Sequence, residues 1–398
     1  MTGPIIPGMT KASPAIPRGV WVLGFVSLLM DFSSEMIHAL LPLYLTVGLG
    51  ASALVVGLIE GVAEATAMVV KVFSGVLSDR WRNRKRLTAI GYGLAALTKP
   101  LFALATGPFL VFAARFADRI GKGIRGAPRD ALIADLTPPS IRGAAFGLRQ
   151  TLDTLGAIAG PLVAMGLMLA WDDDFRAVFW VAVIPAVLCF VLVIVGVREP
   201  EPDPSRKPEV MKLDRSLLRR LKRDFWIIVA AASALTLARF SEAFLILRAG
   251  NLGVDAAYAP LVLAGMSVVY AATAYPTGKL ADRMSRRTLL AWGVAALVAA
   301  DIALALTTNL AMLSLGVALW GLHMGLTQGL LAAMVAHAAP ADLRGTAFGV
   351  FNLAMGAAML VASALAGALW HYVGPAATFW CGAVLAAGAL ALTRLSAR

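Results

Sequence analysis

Long apolar stretches separated by short polar segments recur along the whole chain. About twenty apolar residues in a helix cross a hydrocarbon core roughly 30 Å thick. The pattern predicts twelve such helices, at 19–47, 52–79, 87–106, 108–134, 143–170, 175–197, 225–248, 256–281, 287–306, 310–336, 345–369 and 374–393. We therefore expect an all-α polytopic membrane protein.

Composition supports this interpretation, and the positions of the basic residues indicate the topology. Hydrophobic residues make up 59% of the 398 residues and the mean hydropathy is +0.79, whereas soluble domains contain roughly 45–50% apolar residues. The net charge of +12 comes from loops on one side of the predicted membrane, including "RWRNRKR" and "DRMSRR". The positive-inside rule then predicts that both termini are cytoplasmic, in a cytoplasmic or inner membrane. The basic charge therefore requires no nucleic-acid partner.

The N-terminal residues and the cysteines add little further chemistry. Residues 1–20 lack the apolar core and small-residue cleavage site of a signal peptide, so the first predicted helix is expected to direct insertion. Cys189 and Cys381 lie in predicted helices without the spacing of metal ligands. We expect no metal and no cofactor.

The chain contains an internal repeat. "SGVLSDRWRNRKRL" at 74–87 matches "TGKLADRMSRRTLL" at 277–290, and "IRGAAFG" at 141–147 matches "LRGTAFG" at 343–349. A looser match pairs Glu35 with Glu242. The repeat predicts two six-helix units, 1–197 and 225–398, joined by a cytoplasmic linker at 198–224. Two such units, facing each other, permit alternating access by rocking.

The repeated loop resembles the gate motif of the major facilitator superfamily, G-x-x-x-D-R-x-G-R-R, and the resemblance extends over essentially the whole chain. It implies a fold of twelve transmembrane helices in two pseudo-symmetric six-helix bundles. The loop is then a cytoplasmic charge-relay latch that helps to hold the outward-open state. The matching residues are Gly75, Asp79, Arg80 and Arg84 in the first copy and Gly278, Asp282, Arg283, Arg286 and Arg287 in the second. Arg82, Asn83 and Ser285 depart from the pattern.

The fifth predicted helix carries a second family feature. Gly147, Gly156, Gly160 and Pro161 resemble the antiporter motif G-x8-G-x3-G-P-x2-G-G, although Ala164 and Met165 replace its last two glycines. Glycines at these spacings also let helices pack closely in any membrane protein. The resemblance favours export over uptake.

Ionisable residues lie on single faces of four predicted helices. A helix turns about 100° per residue, so the sets span roughly 60° in the first helix, 40° in the second and 120° in the fourth. They are Asp31, Glu35 and His38; Glu60, Glu64 and Lys71; Arg115, Asp118, Arg119, Lys122, Arg125 and Arg129; and Arg149 with Asp153 in the fifth helix. An ion at the bilayer centre costs about 2.5–3.5 kcal/mol. We expect these faces to line a shared wet cavity, with some structural ion pairs such as Asp118 with Arg119 or Lys122.

The acidic residues of this set are candidates for proton coupling. Two carboxylates one helical turn apart repel, and a proton on one of them removes the repulsion. Asp31 with Glu35 and Glu60 with Glu64 form such pairs, and Asp153 is an alternative. Arg115 matches the family arginine of the fourth helix, which the resemblance links to proton coupling.

The remaining polar residues are candidates for contact with substrate. Arg115, Arg119, Lys122 and Arg149 would provide positive potential for an anionic or zwitterionic solute. The complete set of substrate-cavity candidates is His38, Lys71, Asp118, Arg119, Lys122 and Arg149 in the first half and Arg239, Glu242, Tyr270, His323, Gln328 and Asn352 in the second. For His323, a hydrogen bond within the bundle is an alternative to substrate contact.

These observations predict a secondary transporter that functions as a monomer and exports a small charged solute or drug in exchange for protons. Uptake of an organic anion or zwitterion by proton symport is one alternative. A membrane receptor or scaffold is another. An enzyme is not expected, because the chain has no arrangement of nucleophile and base and no ATP-binding motif.

Overall fold

The computed structural model describes residues 15–81, 83–199, 218, 220–281, 283–340 and 343–395, apart from the side chains of residues 79, 80 and 392–395. The regular elements described are helical. They are α1 Arg18–His38, α2 Ala53–Trp81, α3 Arg84–Ala103, α4 Pro108–Leu136, α5 Arg142–Ala170, α6 Phe175–Gly196, α7 Arg223–Ala238, α8 Ala243–Asn251, α9 Pro260–Ala281, α10 Arg286–Leu306, α11 Leu310–Ala338, α12 Arg344–Tyr372 and α13 Pro375–Leu395. The seventh predicted span contains both α7 and α8, so each of the twelve predicted spans corresponds to helix. The predicted linker lies mostly outside the described residues.

The helices form a multi-pass membrane protein. Within the described residues, nine helical spans are long and apolar enough to cross a membrane. The helices α3 and α4 do not meet this criterion, and the part of α13 whose side chains are described, Pro375–Ala391, is apolar as well. Both α3 and α4 contain buried charged residues, among them Lys99 and Arg115. These charges make the two helices less apolar, and burial inside the protein keeps the charges away from lipid.

The first and seventh spans are interrupted near their middles. After His38, α1 gives way to a turn and a short helical segment, Leu41–Leu43, followed by a π-helical segment, Tyr44–Gly48. Pro42 explains the first break, because it has no amide hydrogen to donate to the His38 carbonyl one turn earlier and its ring clashes with that carbonyl. In the seventh span Arg239 leaves the helical conformation, with φ −105° and ψ 83°. Interrupted helices at membrane depth are tolerated where the backbone is buried in protein or lines a cavity.

The break between α7 and α8 is held by side chains that are distant in sequence. Phe240 packs against Trp320 and Phe379, with ring centroids 5.4 and 5.5 Å apart. The Ser241 amide donates to Ser363 Oγ at 3.2 Å. The break therefore depends on tertiary packing, since no proline or glycine lies at residues 239–242.

The repeat is visible in how equivalent helices begin. Asn83 caps α3 through its side chain, which accepts from the Arg86 amide, and Ser285 caps α10 by accepting from the Thr288 amide. The residues before α5 and α12 also share a conformation, with φ and ψ of −124° and 12° at Ile141 and −118° and 7° at Leu343. The matched sequence segments thus form the same local structure in both halves, α1–α6 and α7–α13.

The two halves touch along α2 and α12, most closely at one end of the bundle. We name the end that carries the loops before α3 and α10 the basic end, and the opposite one the far end. Near the far end, a Cβ on Gly57 of α2 would lie 2.3 Å from the Ser363 carbonyl oxygen of α12, and a Cβ on Gly367 would lie 2.8 Å from the Ala53 oxygen. The backbones of α2 and α12 are therefore in direct contact there.

Glycines with open space beside them lie near the basic end of helices from both halves. No atom lies within 4 Å of the Cβ position of Gly147 in α5, Gly278 in α9 or Gly345 in α12. Leu43 and Gly250 still meet at the far end, where a Cβ on Gly250 would lie 2.9 Å from Leu43 Cδ2. The far end thus has tight helix contacts, and open glycines occur at both ends, since Gly166 of α5 and Gly265 of α9 near the far end also have no close neighbour.

Candidate functional site

An acid, a base and a histidine from three helices meet inside the first half. Arg115 Nη2 of α4 lies 2.8 Å from Glu60 Oε2 of α2. His38 at the end of α1 contacts both Glu60, with Nε2 3.5 Å from Oε2, and Glu35, with Nδ1 3.4 Å from Oε2. The side chains of Glu60 and Arg115 are almost completely buried. The predicted faces of α1, α2 and α4 are therefore directed toward one another.

Two further ion pairs extend this cluster. Arg119 Nε lies 3.3 Å from Glu64 Oε1, one helical turn from the first pair on both helices. Asp118 Oδ1 contacts Lys99 Nζ of α3 at 2.9 Å, and Lys99 also donates to Ser34 Oγ of α1 at 3.0 Å. The sequence suggested that Asp118 pairs with Arg119 or with Lys122. That prediction was wrong, because Lys99 of the neighbouring helix α3 forms the ion pair with Asp118.

Lys99 was absent from the sequence-based set of site residues. It is the single charged residue in the apolar stretch 87–106, and this isolation was the signal that could have identified it. A lone buried lysine needs a carboxylate partner. Periodicity along one helix does not reveal that partner, because Lys99 and Asp118 lie on different helices.

Asp31 of α1 has an acidic neighbour on α5. The Asp31 and Asp153 carboxyl groups are close neighbours and interact electrostatically. Arg149, one turn from Asp153, contacts it with Nη1 3.3 Å from Oδ2. The predicted acid pairs were Asp31 with Glu35 and Glu60 with Glu64. In the structure, Glu35, Glu60 and Glu64 each contact a basic side chain instead. The two acidic side chains that lie beside each other are Asp31 and Asp153.

Two glycines of the antiporter-like motif hold α5 against α1 beside this pair. A Cβ on Gly156 would lie 2.5 Å from the Leu28 carbonyl oxygen, and one on Gly160 would lie 2.5 Å from the Phe32 oxygen. Pro161 is buried next to them. Gly147 has no atom within 4 Å of its Cβ position. The motif therefore acts in this structure through Gly156 and Gly160, which bring the backbones together on either side of Asp31.

Lysines line the open part of this interior. Lys122, in the middle of α4, is exposed, although Asp31, Glu35 and Glu64 all lie within its electrostatic reach. Lys71 of α2 is also exposed, and its Cε lies 3.7 Å from the Cβ position of Gly126 in α4. A side chain that is exposed yet surrounded by other helices must face a wet cavity.

The second half contributes fewer ionisable groups. Arg239, at the break after α7, lies within electrostatic reach of Glu64 and Tyr270. Glu242, the last residue of the break before α8, lies within electrostatic reach of His38, Arg239 and Glu35. The break thus brings one basic and one acidic side chain of the second half toward the charged cluster of the first.

The other candidates in the second half have more ordinary surroundings. Tyr270 lies near Asp153 and Arg149 as well as Arg239. His323 is fully buried, and its Nδ1 lies 2.8 Å from the Gly293 carbonyl oxygen. This hydrogen bond within the bundle was the predicted alternative to substrate contact. Gln328 and Asn352 are half-buried.

The first copy of the gate motif forms contacts within its own half. Arg84 makes an ion pair with Asp135 at the end of α4. The Arg84 and Lys85 amides donate to the Glu199 carboxylate at 2.9 and 2.5 Å. Gly75 packs toward α4, its Cβ position 3.6 Å from Ala127 Cβ. Asp282 and the side chains of Asp79 and Arg80 lie outside the described residues, and Arg283, Arg286 and Arg287 are exposed.

Comparisons with known proteins agree with this architecture. The sequence model of the Major Facilitator Superfamily matches residues 23–247 and 236–397. An MFS-type transporter of Methanocaldococcus jannaschii is 32% identical over 379 residues, 93% of each chain. The multidrug resistance protein MdtH of Photorhabdus laumondii is 31% identical over 172 residues, 43% of this chain and 42% of that one. An inward-facing, unoccupied crystal structure of a bacterial homolog of the human lysosomal transporter Spinster has a TM-score of 0.71 at 16% identity, covering 96% of each chain.

Proposed function

Because the chain belongs to the Major Facilitator Superfamily, we propose that it works by alternating access and exports a small charged solute in exchange for protons. The observation that carries this proposal is Lys122. An ammonium group in the middle of a membrane helix requires water or a counter-charge, and Lys122 is exposed while carboxyl groups of α1 and α2 lie within its electrostatic reach. A charged, wet interior suits a charged solute.

We propose that the units 1–197 and 225–398 rock against each other and that the basic end faces the cytoplasm. The basic loops support this orientation through the positive-inside rule. The motif that holds α5 against α1 and the partial similarity to MdtH support export over uptake.

The exchangeable proton is assigned in this proposal to Asp31 and Asp153. Glu60, Glu64 and Asp118 each contact a guanidinium or ammonium group, which favours the charged carboxylate. Asp31 lies beside another carboxyl group instead. Two carboxylates at so short a separation repel each other unless they share a proton. A pair on the inner side of α1 and α5 can release that proton when rocking of the halves opens it to water.

The direction of proton movement tests the proposal. Purified protein is reconstituted into liposomes with an acidic lumen and a trapped pH-sensitive dye, and anionic, zwitterionic and cationic solutes are added outside. Exchange predicts that a transported solute makes the lumen more alkaline. Acidification would instead indicate proton symport and uptake, and the absence of any solute-dependent change would indicate a receptor or scaffold.

A matched pair of variants tests the proton site in the same assay. Asp31→Asn is expected to abolish solute-dependent alkalinisation, since it removes one carboxyl of the pair. Asp224→Asn makes the same substitution at an exposed position in the first turn of α7, and it should leave the signal unchanged. Full proton exchange by Asp31→Asn would contradict the assignment.

A further inference from the structure

A buried arginine of α4 lies over a tyrosine of α3 and has no carboxylate partner. The guanidinium carbon of Arg125 lies 4.9 Å from the centre of the Tyr92 ring, and Arg125 is only 5% exposed. Among the described residues, no carboxylate lies within the 4.0 Å of an ion pair from Arg125. The face of an aromatic ring attracts a cation but carries no net charge. The charge of Arg125 is therefore not balanced at ion-pair distance.

Three side-chain donors near this contact have no acceptor in the described part of the protein. They are Arg125 Nη1 and the hydroxyl groups of Tyr92 and Thr88, and all three atoms are buried. Thr88 and Tyr92 are four residues apart, so they lie on the same face of α3. The helices α3 and α4 touch at this level, because a Cβ on Gly91 would lie 2.7 Å from Arg125 Cβ. Buried donors normally find an acceptor, since leaving them unpaired destabilises the folded state.

Charged side chains near Arg125 already have partners. Asp118 lies within electrostatic reach of Arg125, but its carboxylate contacts Lys99 Nζ at 2.9 Å. Arg129, one turn closer to the basic end, contacts Asp130 with Nη2 3.1 Å from Oδ1. The charges of these two ion pairs cancel, so the group keeps the single positive charge of Arg125.

The contact between Arg125 and Tyr92 lies inside the first half. Tyr92 packs in an apolar cluster whose members come from α1, α3 and α6, among them Val26, Met30, Ala186, Cys189 and Val193. The contact is thus enclosed by helices of one bundle.

The Asp31 carboxyl group of α1 has other charged neighbours. Asp31 and Arg125 both lie within electrostatic reach of Cys189. The charged groups that act on Asp31, however, are Asp153, Lys122 and Glu35. Asp31 therefore does not take the place of a counter-ion for Arg125.

We propose that a chloride ion binds beside Arg125 and Tyr92 as a structural ligand of the first half. One monovalent anion balances the charge of Arg125, and it accepts hydrogen bonds from Nη1 and from the Tyr92 hydroxyl. The Thr88 hydroxyl is a further donor one turn away. An organic anion would have to push α3 away from the buried apolar cluster. The site therefore favours a small inorganic anion, and it is independent of the proposed transport function.

Arg129 provides a route for the anion from the basic end. It lies four residues after Arg125, and its side chain is 14% exposed. Its Nη1 donates to Ser27 Oγ of α1 at 3.2 Å, which holds the guanidinium group between α1 and α4. The positive potential of the two guanidinium groups attracts an anion toward Arg125.

The bound anion would stabilise the contact between α3 and α4. A buried charge without a counter-ion destabilises the folded state. A ligand that binds only to the folded state raises its stability as the ligand concentration increases. We therefore expect the stability of the protein to depend on chloride.

Thermal unfolding without any transported solute tests the inference. The purified protein in dodecyl maltoside micelles is exchanged into sodium gluconate, and chloride or bromide then replaces gluconate at constant ionic strength. Tryptophan fluorescence reports the unfolding temperature. Both halides should raise that temperature in a saturable manner, by about 3 °C when the site is filled.

Matched variants locate the anion. Arg125→Gln should abolish the response to halide, and Arg125→Lys should restore part of it because the charge returns. Tyr92→Phe removes a single oxygen atom, and it should weaken chloride binding about tenfold. The controls are Arg142→Gln and Tyr372→Phe, which make the same substitutions at exposed positions and should respond as the unsubstituted protein does.

Direct binding gives a readout that does not depend on unfolding. Equilibrium dialysis with radioactive chloride should show one saturable ion per chain, which bromide displaces and gluconate does not. Tyr92→Phe should need about ten times more chloride for half-saturation. This variant keeps the test decisive if Arg125→Gln fails to fold.

Any of three results would overturn the inference. The first is an unfolding temperature that does not change when chloride replaces gluconate. The second is a halide response that persists unchanged in Arg125→Gln and Tyr92→Phe, which would indicate a general salt effect or an ion bound elsewhere. The third is the absence of saturable chloride binding. Proton exchange driven by a solute would stand in all three cases, because it is measured in a separate assay.

Discussion

Arg115 and Glu60 form a buried ion pair between α4 and α2, with Nη2 2.8 Å from Oε2 and both side chains no more than 2% exposed. His38 of α1 contacts the same glutamate oxygen at 3.5 Å. The pair therefore joins three helices inside the membrane, where few water molecules compete with it. Isolated charges at such a position are costly, so each partner makes burial of the other possible.

This relationship predicts a strong asymmetry between single and double substitutions. Glu60→Gln should lower the free energy of unfolding by about 3–5 kcal/mol, because it leaves the Arg115 guanidinium buried without its counter-charge. Glu60→Gln combined with Arg115→Met should be much closer to the unsubstituted protein, since both charges are then removed. Denaturant titrations in detergent micelles, followed by tryptophan fluorescence, measure the difference. Additive losses in the double variant would contradict a mutually dependent pair.

The contact between α5 and α1 predicts different responses at two glycines of the same motif. Gly160→Ala should destabilise the protein by about 1–3 kcal/mol, because its Cβ would lie 2.5 Å from the Phe32 oxygen and the helices would have to separate. Gly147→Ala, where no atom lies within 4 Å, should be neutral or stabilising through helix propensity. Equal destabilisation by both substitutions in the same unfolding assay would show that close packing is not what distinguishes these glycines.

The loop between α5 and α6 carries Asp173, which interacts with Asp255 of the second half. We therefore expect closure of the far end to depend on pH. Partial burial, the Asp255 carboxylate of the second half and the adjacent Asp172 raise the pKa of Asp173 above its usual value. Its protonated form can donate a hydrogen bond to Asp255. The contact between the halves is therefore fully favoured at acid pH, and it is lost as the pH rises through the raised pKa. Neighbouring charges on this loop and at the start of α6 are Asp174 and Arg176.

Distances between spin labels at the far end measure this effect. Labels at Trp171→Cys and Tyr258→Cys, both exposed positions on opposite halves, should report a short distance at acid pH and a broader, longer distribution at higher pH. Asp173→Asn should keep the short distance across the same range, because the amide is never charged. A pH dependence unchanged by that substitution would mean that another group controls the closure.

Most of the fold could be predicted because the bilayer imposes a simple rule on the sequence. Each predicted span corresponds to helix within a few residues of the observed ends, and the repeated segments begin equivalent helices at Arg142 and Arg344. The break after Ala238 could not be predicted. It depends on Phe240 packing against Trp320 and Phe379, which lie far away in the sequence.

The membership of the charged site was more predictable than its pairing. Helical periodicity identified the faces that carry Glu60, Glu64, Arg115 and Arg119, because it describes residues along one helix. It could not identify Lys99 as the partner of Asp118, or Asp153 as the neighbour of Asp31, because those contacts cross from one helix to another.

The sequence by itself determined that this chain is a helical membrane protein built from two related halves with charged faces, since apolar length, repeated motifs and helical periodicity are properties of the linear chain. The tertiary structure decided which charges neutralise each other, and it left Lys122 and Arg125 without a partner within ion-pair distance among the described residues. The physical reason is that an ion pair depends on separations of a few ångströms between helices, and these separations are set by contacts such as those of Gly156 and Gly160 with α1.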